Sequence, residues 1–255
     1  MRLLTLPLEW FLNRDRCGVK EESNERGSMA KLTFHGHSTF SIETDEGTHL
    51  VVDPFFVDNP QFTGSRDDIE ADFILVTHGH GDHVGDLIPL AEHTGATVIA
   101  SYEIATYLEN HGINVSPQHI GGGVHYSFGY VKMTAAVHGG MVELPGAEPF
   151  TTVPAGFLLE LNGGQRLYLA GDTGLLMDMQ LLKGQVDVAV LPIGDRFTMG
   201  PADAVRAVNF IEPRVVIPCH YNSWPPIEQD GESFKTAVGD RAHVELMTPG
   251  STYGF

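Results

Sequence analysis

Residues 78–83 read His-Gly-His-Gly-Asp-His and come directly after the apolar run Ala71–Thr77. Three imidazoles and one carboxylate within six residues would crowd one another if they had nothing to bind. Gly79 and Gly81 carry no side chain, so the backbone can turn tightly and direct alternate side chains at two neighbouring points. Imidazole nitrogen and carboxylate oxygen suit zinc, iron or manganese. The segment therefore predicts a metal site on a loop that follows a buried strand.

Three further ligand-type residues each follow an apolar run: His138, Asp172 and His220. Loops at strand ends are held by a rigid scaffold, so these residues are candidates to complete a site that one loop cannot fill. Taken singly, either histidine could be a hydrogen-bonded core residue. Asp172 could equally cap a helix that begins near Gly174, because Asp is a favoured N-cap residue.

The hydrophobic pattern along the chain predicts a mixture of strands and helices, an α/β (α+β) protein. We predict strands at Lys31–Phe34, Thr39–Glu43, His49–Asp53, Ala71–Thr77, Thr97–Ala100, Val131–Val137, Gly156–Leu161, Arg166–Ala170, Asp187–Leu191, Val215–Pro218 and His243–Met247. We predict helices at Asp86–His93, Tyr102–Asn110, Pro201–Ile211 and Ser233–Val238. Two comparable halves of this kind indicate two sheets packed together with helices outside.

The first 28 residues differ from the rest because they are largely polar and charged after a short apolar start. Pro7 and Glu9 interrupt that start, so it is a poor signal peptide. We predict a poorly structured N-terminal extension over residues 1–28 and a single domain over residues 29–255. A short amphipathic anchor at residues 10–12 is the alternative.

The net charge of the chain is −18, from 33 acidic and 15 basic side chains. Such a field repels polyanions, which argues against nucleic acid and anionic membranes as partners. Two cysteines cannot form a disulfide framework, and no apolar run approaches the length of a membrane span. We therefore expect a cytoplasmic protein that acts on a small molecule, with a homo-oligomer left open.

The sequence resembles the metallo-β-lactamase superfamily. More narrowly, it resembles the small metal-dependent hydrolases related to ascorbate-6-phosphate lactonase. Besides the histidine-rich loop, the shared segments are residues 36–38, 52–55, 170–174, 191–194, 197–201 and 218–225. The resemblance runs from about Lys31 to the C-terminus and implies a four-layer αββα sandwich.

The resemblance also implies a site for two divalent metal ions, zinc first, with manganese or iron as alternatives. Carried over by position, one ion takes His78, His80 and His138, the other takes Asp82, His83 and His220, and Asp172 bridges them. A hydroxide between two such ions would attack a small ester, lactone or phosphoester. The implied activity is that of a metal-dependent hydrolase.

We also expect particular roles for several residues besides the metal ligands. Asp53 would accept a hydrogen bond from a ligand imidazole, or would be an ordinary carboxylate at a strand end. His37 and Asp82 would be catalytic, with His37 contacting a substrate oxygen or protonating a leaving group; the alternative is a turn histidine. The expected substrate pocket consists of Arg196, Phe197, Thr198, Met199, Asn222 and Trp224. Arg196 would clamp an anion there, and the apolar members could instead be ordinary core.

Two other functions stay open. One is a redox protein of the di-iron branch, which typically has an acidic ligand where His80 stands and a flavin domain. The other is a metal-stabilised binding or regulatory module without turnover.

Overall fold

The computed structural model describes residues 29–255, and the expected N-terminal extension lies outside the described residues. The strands are β1 (Lys31–Gly36), β2 (Thr39–Glu43), β3 (His49–Val52), β4 (Phe73–Leu75), β5 (Thr97–Ser101), β6 (Val115–Gln118), β7 (Gly123–Tyr126), β8 (Gly129–Ala135), β9 (Met141–Val142), β10 (Phe150–Thr151), β11 (Ala155–Leu161), β12 (Arg166–Leu169), β13 (Val188–Pro192), β14 (Val215–Cys219), β15 (His243–Val244) and β16 (Thr252–Gly254). The helices are α1 (Gly81–Val84), α2 (Leu87–Thr94), α3 (Tyr102–Glu109), α4 (Pro201–Ile211) and α5 (Gly231–Val238). Short 3-10 turns cover Arg66–Asp68, Met177–Leu182, Pro225–Ile227 and Gly239–Arg241.

The strands form two seven-stranded mixed sheets and one small hairpin. The first sheet has the order β16-β1-β2-β3-β4-β5-β6, the second has the order β15-β14-β13-β12-β11-β8-β7, and β9 pairs with β10. The helices α1, α2 and α3 belong to the first half of the chain, and α4 and α5 belong to the second. The expected αββα sandwich is confirmed. No helix in the described part of the chain is both long and apolar enough to cross a bilayer.

Side chains that alternate between two buried faces explain why the central strands are apolar throughout. In β13, Val188 and Val190 point into the core between the sheets, whereas Ala189 and Leu191 belong to the cluster under α4 and α5. A strand that is covered on both faces reads as a continuous hydrophobic run. The helices supply matching stripes; Ala204, for example, starts a buried face of α4 that continues at spacings of three and four residues.

The carboxyl ends of two sets of parallel strands meet at one edge of the sandwich. In the first sheet β3, β4 and β5 are parallel, and in the second sheet β12, β13 and β14 are parallel. Two backbone hydrogen bonds join the sheets at this edge: Ala155 N donates to Thr77 O at 2.9 Å, and His220 N donates to His37 O at 2.8 Å. The loops that follow these strands therefore share one small volume.

We predict that Gly171→Ala destabilises the fold more than Gly164→Ala. Both glycines have a positive φ, +63° and +92°, so each alanine carries the strain of the left-handed region, about 1–2 kcal/mol. A Cβ on Gly171 would also lie 2.6 Å from Ala155 O, whereas a Cβ on Gly164 would meet nothing within 4 Å. Overpacking costs about 1–3 kcal/mol more. Urea unfolding of both variants measures the difference, and equal losses would contradict the expected contact at Gly171.

Candidate metal centre

The histidine-rich loop lies between β4 and α1, and the hairpin β9–β10 holds it in place. Glu143 N donates to Gly79 O at 2.8 Å, and Gly81 N donates to Glu143 Oε2 at 2.7 Å. A Cβ on Gly79 would lie 2.8 Å from the Cα of Val142. Neither Gly79 nor Gly81 has a positive φ. Gly79 is therefore needed because the hairpin approaches its backbone closely. The sequence suggests a different reason, namely that the backbone turns tightly at this position.

The first ligand group consists of three imidazoles with nitrogen atoms close together. His80 Nδ1 lies 3.1 Å from His78 Nε2 and 3.2 Å from His138 Nε2. Nitrogen ligands at about 2.0–2.1 Å from a tetrahedral zinc ion are about 3.3–3.4 Å apart. The spacing of the three nitrogens fits one cation.

Thr77 sets the tautomer of His78. The Thr77 hydroxyl donates to Asp53 Oδ2 at 2.6 Å, so its oxygen is free to accept from His78 Nδ1 at 3.0 Å. With the proton on Nδ1, the Nε2 atom of His78 keeps its lone pair and faces the group. A hydrogen bond on one ring nitrogen that leaves the other free is the usual arrangement for a metal-ligating histidine.

The second group contains His37, Asp82, His83 and His220, whose ligand atoms all lie within 4.8 Å of one another. His83 Nδ1 contacts Asp53 Oδ2 at 2.8 Å, which leaves Nε2 directed into the group. His37 Nε2 lies 3.2 Å from Asp82 Oδ2. His37 therefore lies beside the three residues that the resemblance assigns to the second ion, in contact with Asp82.

Asp172 lies between the two groups and is 2% exposed. Its Oδ2 atom is 2.9 Å from His220 Nε2 and 3.5 Å from His138 Nε2, and its Oδ1 atom is 3.5 Å from His83 Nε2. Within residues 29–255, neither Asp172 Oδ1 nor His83 Nε2 has a hydrogen-bond partner, although both atoms are buried. Buried polar atoms without partners are costly, and a cation between them would satisfy both. The residues present therefore fit a bound metal.

The titration of the buried ligands depends on their neighbours. Burial lowers the pKa of His78 and of His138. Burial opposes protonation of His83 too, but the adjacent carboxylates of Asp172 and Asp53 raise its pKa well above the usual value. Burial alone would raise the pKa of Asp172, and the His220 and His83 imidazoles reverse this and lower it well below its usual range. Asp172 is thus held as a carboxylate inside the protein.

Three residues at the site have a left-handed backbone: His37, Asp53 and His220 have φ values of 55°, 47° and 52°. Such conformations cost about 1–3 kcal/mol each and persist where the surroundings fix them. Here His37 N donates to Gln61 Oε1 at 2.7 Å, and Asp53 N donates to Leu75 O at 2.9 Å. The strain is concentrated where strands of both sheets end at the site.

A cleft of about 520 Å³ opens over the two groups. Its lining residues are His80, Asp82, His138, Met141, Glu143, Asp172, Phe197, His220, Trp224 and Ile227. Phe197 and Trp224 were expected there, whereas Met141, Glu143 and Ile227 had no sequence signal, because no motif marks them. A second cleft, of about 220 Å³, lies beside the 3-10 turn Met177–Leu182 and contains no member of the ligand groups.

The structure places the other expected pocket residues outside the lining of this cleft. Met199 is 1% exposed and packs in the core under α4. Asn222 has a φ of 60°, and its side chain accepts from Gln229 N at 2.8 Å. The Thr198 hydroxyl donates to a neighbouring backbone carbonyl at 3.2 Å. Arg196 is exposed, and its guanidinium lies 5.5 Å from the centre of the Phe197 ring.

His35 lies near the site but belongs to neither group. Its Nε2 atom is 2.7 Å from Ser41 Oγ, and its ring packs edge-on against Phe56 and Phe62. Burial lowers the pKa of His35 to about 4. The neutral ring is therefore the stable form in the folded protein.

We predict that His35 makes the fold less stable as the pH falls from about 6.5 towards 4. Its folded pKa lies below the unfolded value, so in this range the unfolded chain binds a proton that the folded chain does not. The difference amounts to about 2 kcal/mol at pH 5 relative to pH 7.5. Urea unfolding at both pH values, with His35→Gln for comparison, measures it. Identical pH dependence in the two proteins would contradict the prediction.

Comparison with known proteins identifies this αββα sandwich, with its histidine- and aspartate-rich site at one edge, as the metallo-β-lactamase fold. A family model described as a β-lactamase superfamily domain matches residues 31–220. A UPF0173 metal-dependent hydrolase of Heliobacterium modesticaldum is 44% identical over 88% of this chain and 97% of its own length. A second, from Desulforamulus reducens, is 46% identical over 86% of this chain and 97% of its own length. The chain therefore belongs to the UPF0173 metal-dependent hydrolases, a family within the β-lactamase superfamily.

The solved structure of another metallo hydrolase is similar to this chain over most of both chains. Igni18, described as a novel metallo hydrolase of the archaeon Ignicoccus hospitalis, superposes with a TM-score of 0.81 at 33% identity. The match covers 89% of this chain and 98% of Igni18. The expected enzyme class, a metal-dependent hydrolase, is confirmed by the family and by this structure.

Proposed function

We propose that this metal-dependent hydrolase binds two divalent cations and cleaves a small ester, lactone or phosphoester in the cytoplasm. Zinc is the first candidate for both cations, with manganese and iron as alternatives. The observation that carries the proposal is the position of Asp172, whose carboxylate lies against His138 of the first ligand group and against His83 and His220 of the second. Two separate groups with a shared carboxylate favour a pair of ions over a single ion.

Two bound divalent cations would supply a hydroxide nucleophile near neutral pH and polarise the oxygen of the substrate that is attacked. The protein's own contribution is to hold the ligand atoms in place. Asp53 orients His83 directly and orients His78 through Thr77. His138 and His220 come from loops of the second sheet, so substrate would be held at the edge of the sandwich where loops of both sheets meet.

We assign His37 and Asp82 to one hydrogen-bonded pair. Burial lowers the pKa of His37 to about 4. The hydrogen bond to Asp82 raises this pKa, but its effect is smaller than that of burial. A neutral His37 can donate from Nε2 to Asp82 and accept the Ser223 hydroxyl at Nδ1, 2.9 Å away. The His37 side chain is fully buried, whereas the Asp82 side chain is 32% exposed. Asp82 is therefore the member of the pair that can face a leaving group, and His37 orients it.

The test of this function is metal analysis followed by hydrolysis assays. We expect about two equivalents of zinc, manganese or iron per chain, and hydrolysis of bis(p-nitrophenyl) phosphate or of simple lactones that falls to background after chelation and returns when metal is restored. Full activity after exhaustive chelation would contradict the proposal. Metal that raises the melting temperature without turnover of any substrate would indicate a binding or regulatory module instead.

A further inference from the structure

The walls of the cleft over the metal centre are apolar. Met141, Phe197 and Trp224 are 49%, 56% and 36% exposed, although each is a large hydrophobic side chain. All three line the same cleft as the ligands His80, Asp82, His138, Asp172 and His220. Exposed apolar surface of this kind, gathered at one concave site with a few polar groups, is typical of a place where an apolar ligand part binds.

The apolar walls come from different parts of the fold and are held in position. The Trp224 ring packs edge-on against His37 at 4.7 Å between centroids, behind the second ligand group. Met141 belongs to β9. Glu143, which directly follows β9, makes hydrogen bonds to Gly79 and Gly81 of the histidine-rich loop. Phe197 follows β13 on the second sheet. Since these side chains come from the β9–β10 hairpin and from loops that follow β13 and β14 of the second sheet, the opening has a polar floor and apolar sides.

The charge of the lining disfavours an anionic substrate. Apart from the ligands, Glu143 is the charged residue of the lining, and its carboxylate is fixed by the hydrogen bond from Gly81 N. Within residues 29–255, no lysine or arginine lines the cleft. Arg196, the expected anion clamp, instead lies over the ring of Phe197. A phosphate group in the cleft would lie among the carboxylates of Asp82, Asp172 and Glu143 and would meet no basic residue of the lining, in a chain of net charge −18.

We infer that the substrate is an uncharged carboxylic ester or lactone with an apolar substituent, and not a phosphorylated sugar. The reacting carbonyl lies at the ligand groups, and the apolar substituent lies against Phe197, Trp224 and Met141. This inference rests on the proposed function, because it takes the cleft as the place of hydrolysis. Of the three substrate classes in that proposal, it keeps carboxylic esters and lactones and removes phosphoesters.

The first test compares p-nitrophenyl acetate, butyrate, hexanoate and octanoate with p-nitrophenyl phosphate, using metal-loaded enzyme. Each methylene that becomes buried contributes up to about a fourfold gain, so kcat/KM should rise with chain length until the cleft is filled. We expect p-nitrophenyl phosphate to react at least about 100-fold less efficiently than the best ester. A flat chain-length series, or a preference for the phosphate, overturns the inference.

Variants assign the effect to the cleft. Phe197→Ala and Trp224→Ala should each lower kcat/KM for the octanoate by about tenfold and for the acetate by clearly less. Leu181→Ala is the matched control, because Leu181 is also an exposed large hydrophobic residue but lies at the second cleft. Glu143→Gln keeps an oxygen for Gly81 N and removes the charge, so it should raise p-nitrophenyl phosphate hydrolysis severalfold relative to butyrate at low salt. Equal losses on acetate and octanoate, or no shift towards phosphate, count against the assignment.

A binding measurement separates failure of the inference from failure of the proposed function. Methyl ketones have the carbonyl and the apolar chain but no leaving group, so their affinity can be measured by calorimetry without turnover. Affinity that rises from acetone to 2-octanone and falls in Phe197→Ala supports the apolar cleft even if no ester is cleaved, in which case only the hydrolase proposal fails. Hydrolysis of bis(p-nitrophenyl) phosphate with no ketone chain-length effect leaves the hydrolase standing and overturns the inference.

Discussion

Asp172→Asn is expected to lower hydrolytic turnover by about 10³-fold and to reduce the bound metal from two equivalents per chain towards one. The asparagine side chain has the same shape but only one oxygen, and its amide nitrogen has no lone pair for a cation. Because Asp172 Oδ2 faces His220 and His138 while Oδ1 faces His83, either orientation of the amide replaces an oxygen that faces the ligands with an NH₂ group. Elemental analysis and steady-state kinetics on the same preparation measure both effects.

Asp178→Asn is the matched control for this prediction. It makes the same chemical change at an exposed carboxylate six residues along the chain, in the 3-10 turn Met177–Leu182. Asp178 belongs to neither ligand group, so metal content and turnover should be unchanged. If Asp172→Asn folds, retains two equivalents of metal and remains active, Asp172 does not bridge the ions and the proposed mechanism is wrong.

The layered fold was predictable because its central strands have a simple cause. Strands such as β13 and β14 are covered on both faces, so their sequences are continuous apolar runs that stand out without any neighbour being known. Their parallel arrangement also explains why residues far apart in sequence, such as Asp172 and His220, meet at one edge. In these strands the apolar runs in the sequence and the parallel pairing in the sheet agree, so the sequence is enough to predict them.

The edge strands and the hairpin could not be predicted in this way. The strand β6 contains Pro117, β7 is mostly exposed, and β9 and β10 have two residues each, so none has a measurable hydrophobic period. The pattern predicts one strand over Ala71–Thr77, whereas β4 spans Phe73–Leu75 and Thr77 already bonds to Ala155 of the second sheet. Boundaries of this kind depend on hydrogen bonds to distant segments.

The surroundings of the ligands were harder to predict than the ligands. Glu143 acts on Gly81 across 62 residues, and its position depends on the fold of the β9–β10 hairpin. Met199 looked like a pocket residue because it follows a strand near the site, yet its side chain turns into the core under α4. A ligand is marked by its residue type, whereas a pocket wall can be any apolar residue whose direction only the tertiary structure sets.

Asp53→Asn is expected to weaken metal binding at both ligand groups, although Asp53 has been assigned to neither ion. The Asp53 carboxylate accepts three hydrogen bonds: from Thr77 N at 2.8 Å, from the Thr77 hydroxyl at 2.6 Å and from His83 Nδ1 at 2.8 Å. If the asparagine oxygen keeps the bond from Thr77 N, its NH₂ group replaces Oδ2 and donates. His83 Nδ1 must then accept, which moves the His83 proton to Nε2.

The same substitution changes His78 through Thr77. With the asparagine NH₂ donating to the Thr77 hydroxyl, that hydroxyl turns its proton towards His78 Nδ1, and His78 also becomes protonated at Nε2. Both ligand nitrogens would then carry hydrogen in place of a lone pair. Loss of one such partner typically weakens metal binding by about 10–100-fold, so we expect at least about 100-fold weaker affinity here and a comparable loss of turnover.

Metal affinity, measured by competition with a chromophoric chelator, distinguishes this effect from simple loss of stability. Asp86→Asn is the matched control: Asp86 is also a buried carboxylate, but it accepts from Phe56 N and Val57 N, at 2.6 and 3.0 Å, and pairs with Arg66 at 3.5 Å rather than with a ligand imidazole. Both variants lose hydrogen bonds to a buried carboxylate and should unfold more easily, whereas only Asp53→Asn should release metal. If both variants bind metal as tightly as the unmodified chain, tautomer control by Asp53 is refuted. Equal weakening in the two would instead mean that metal affinity simply follows the stability of the fold.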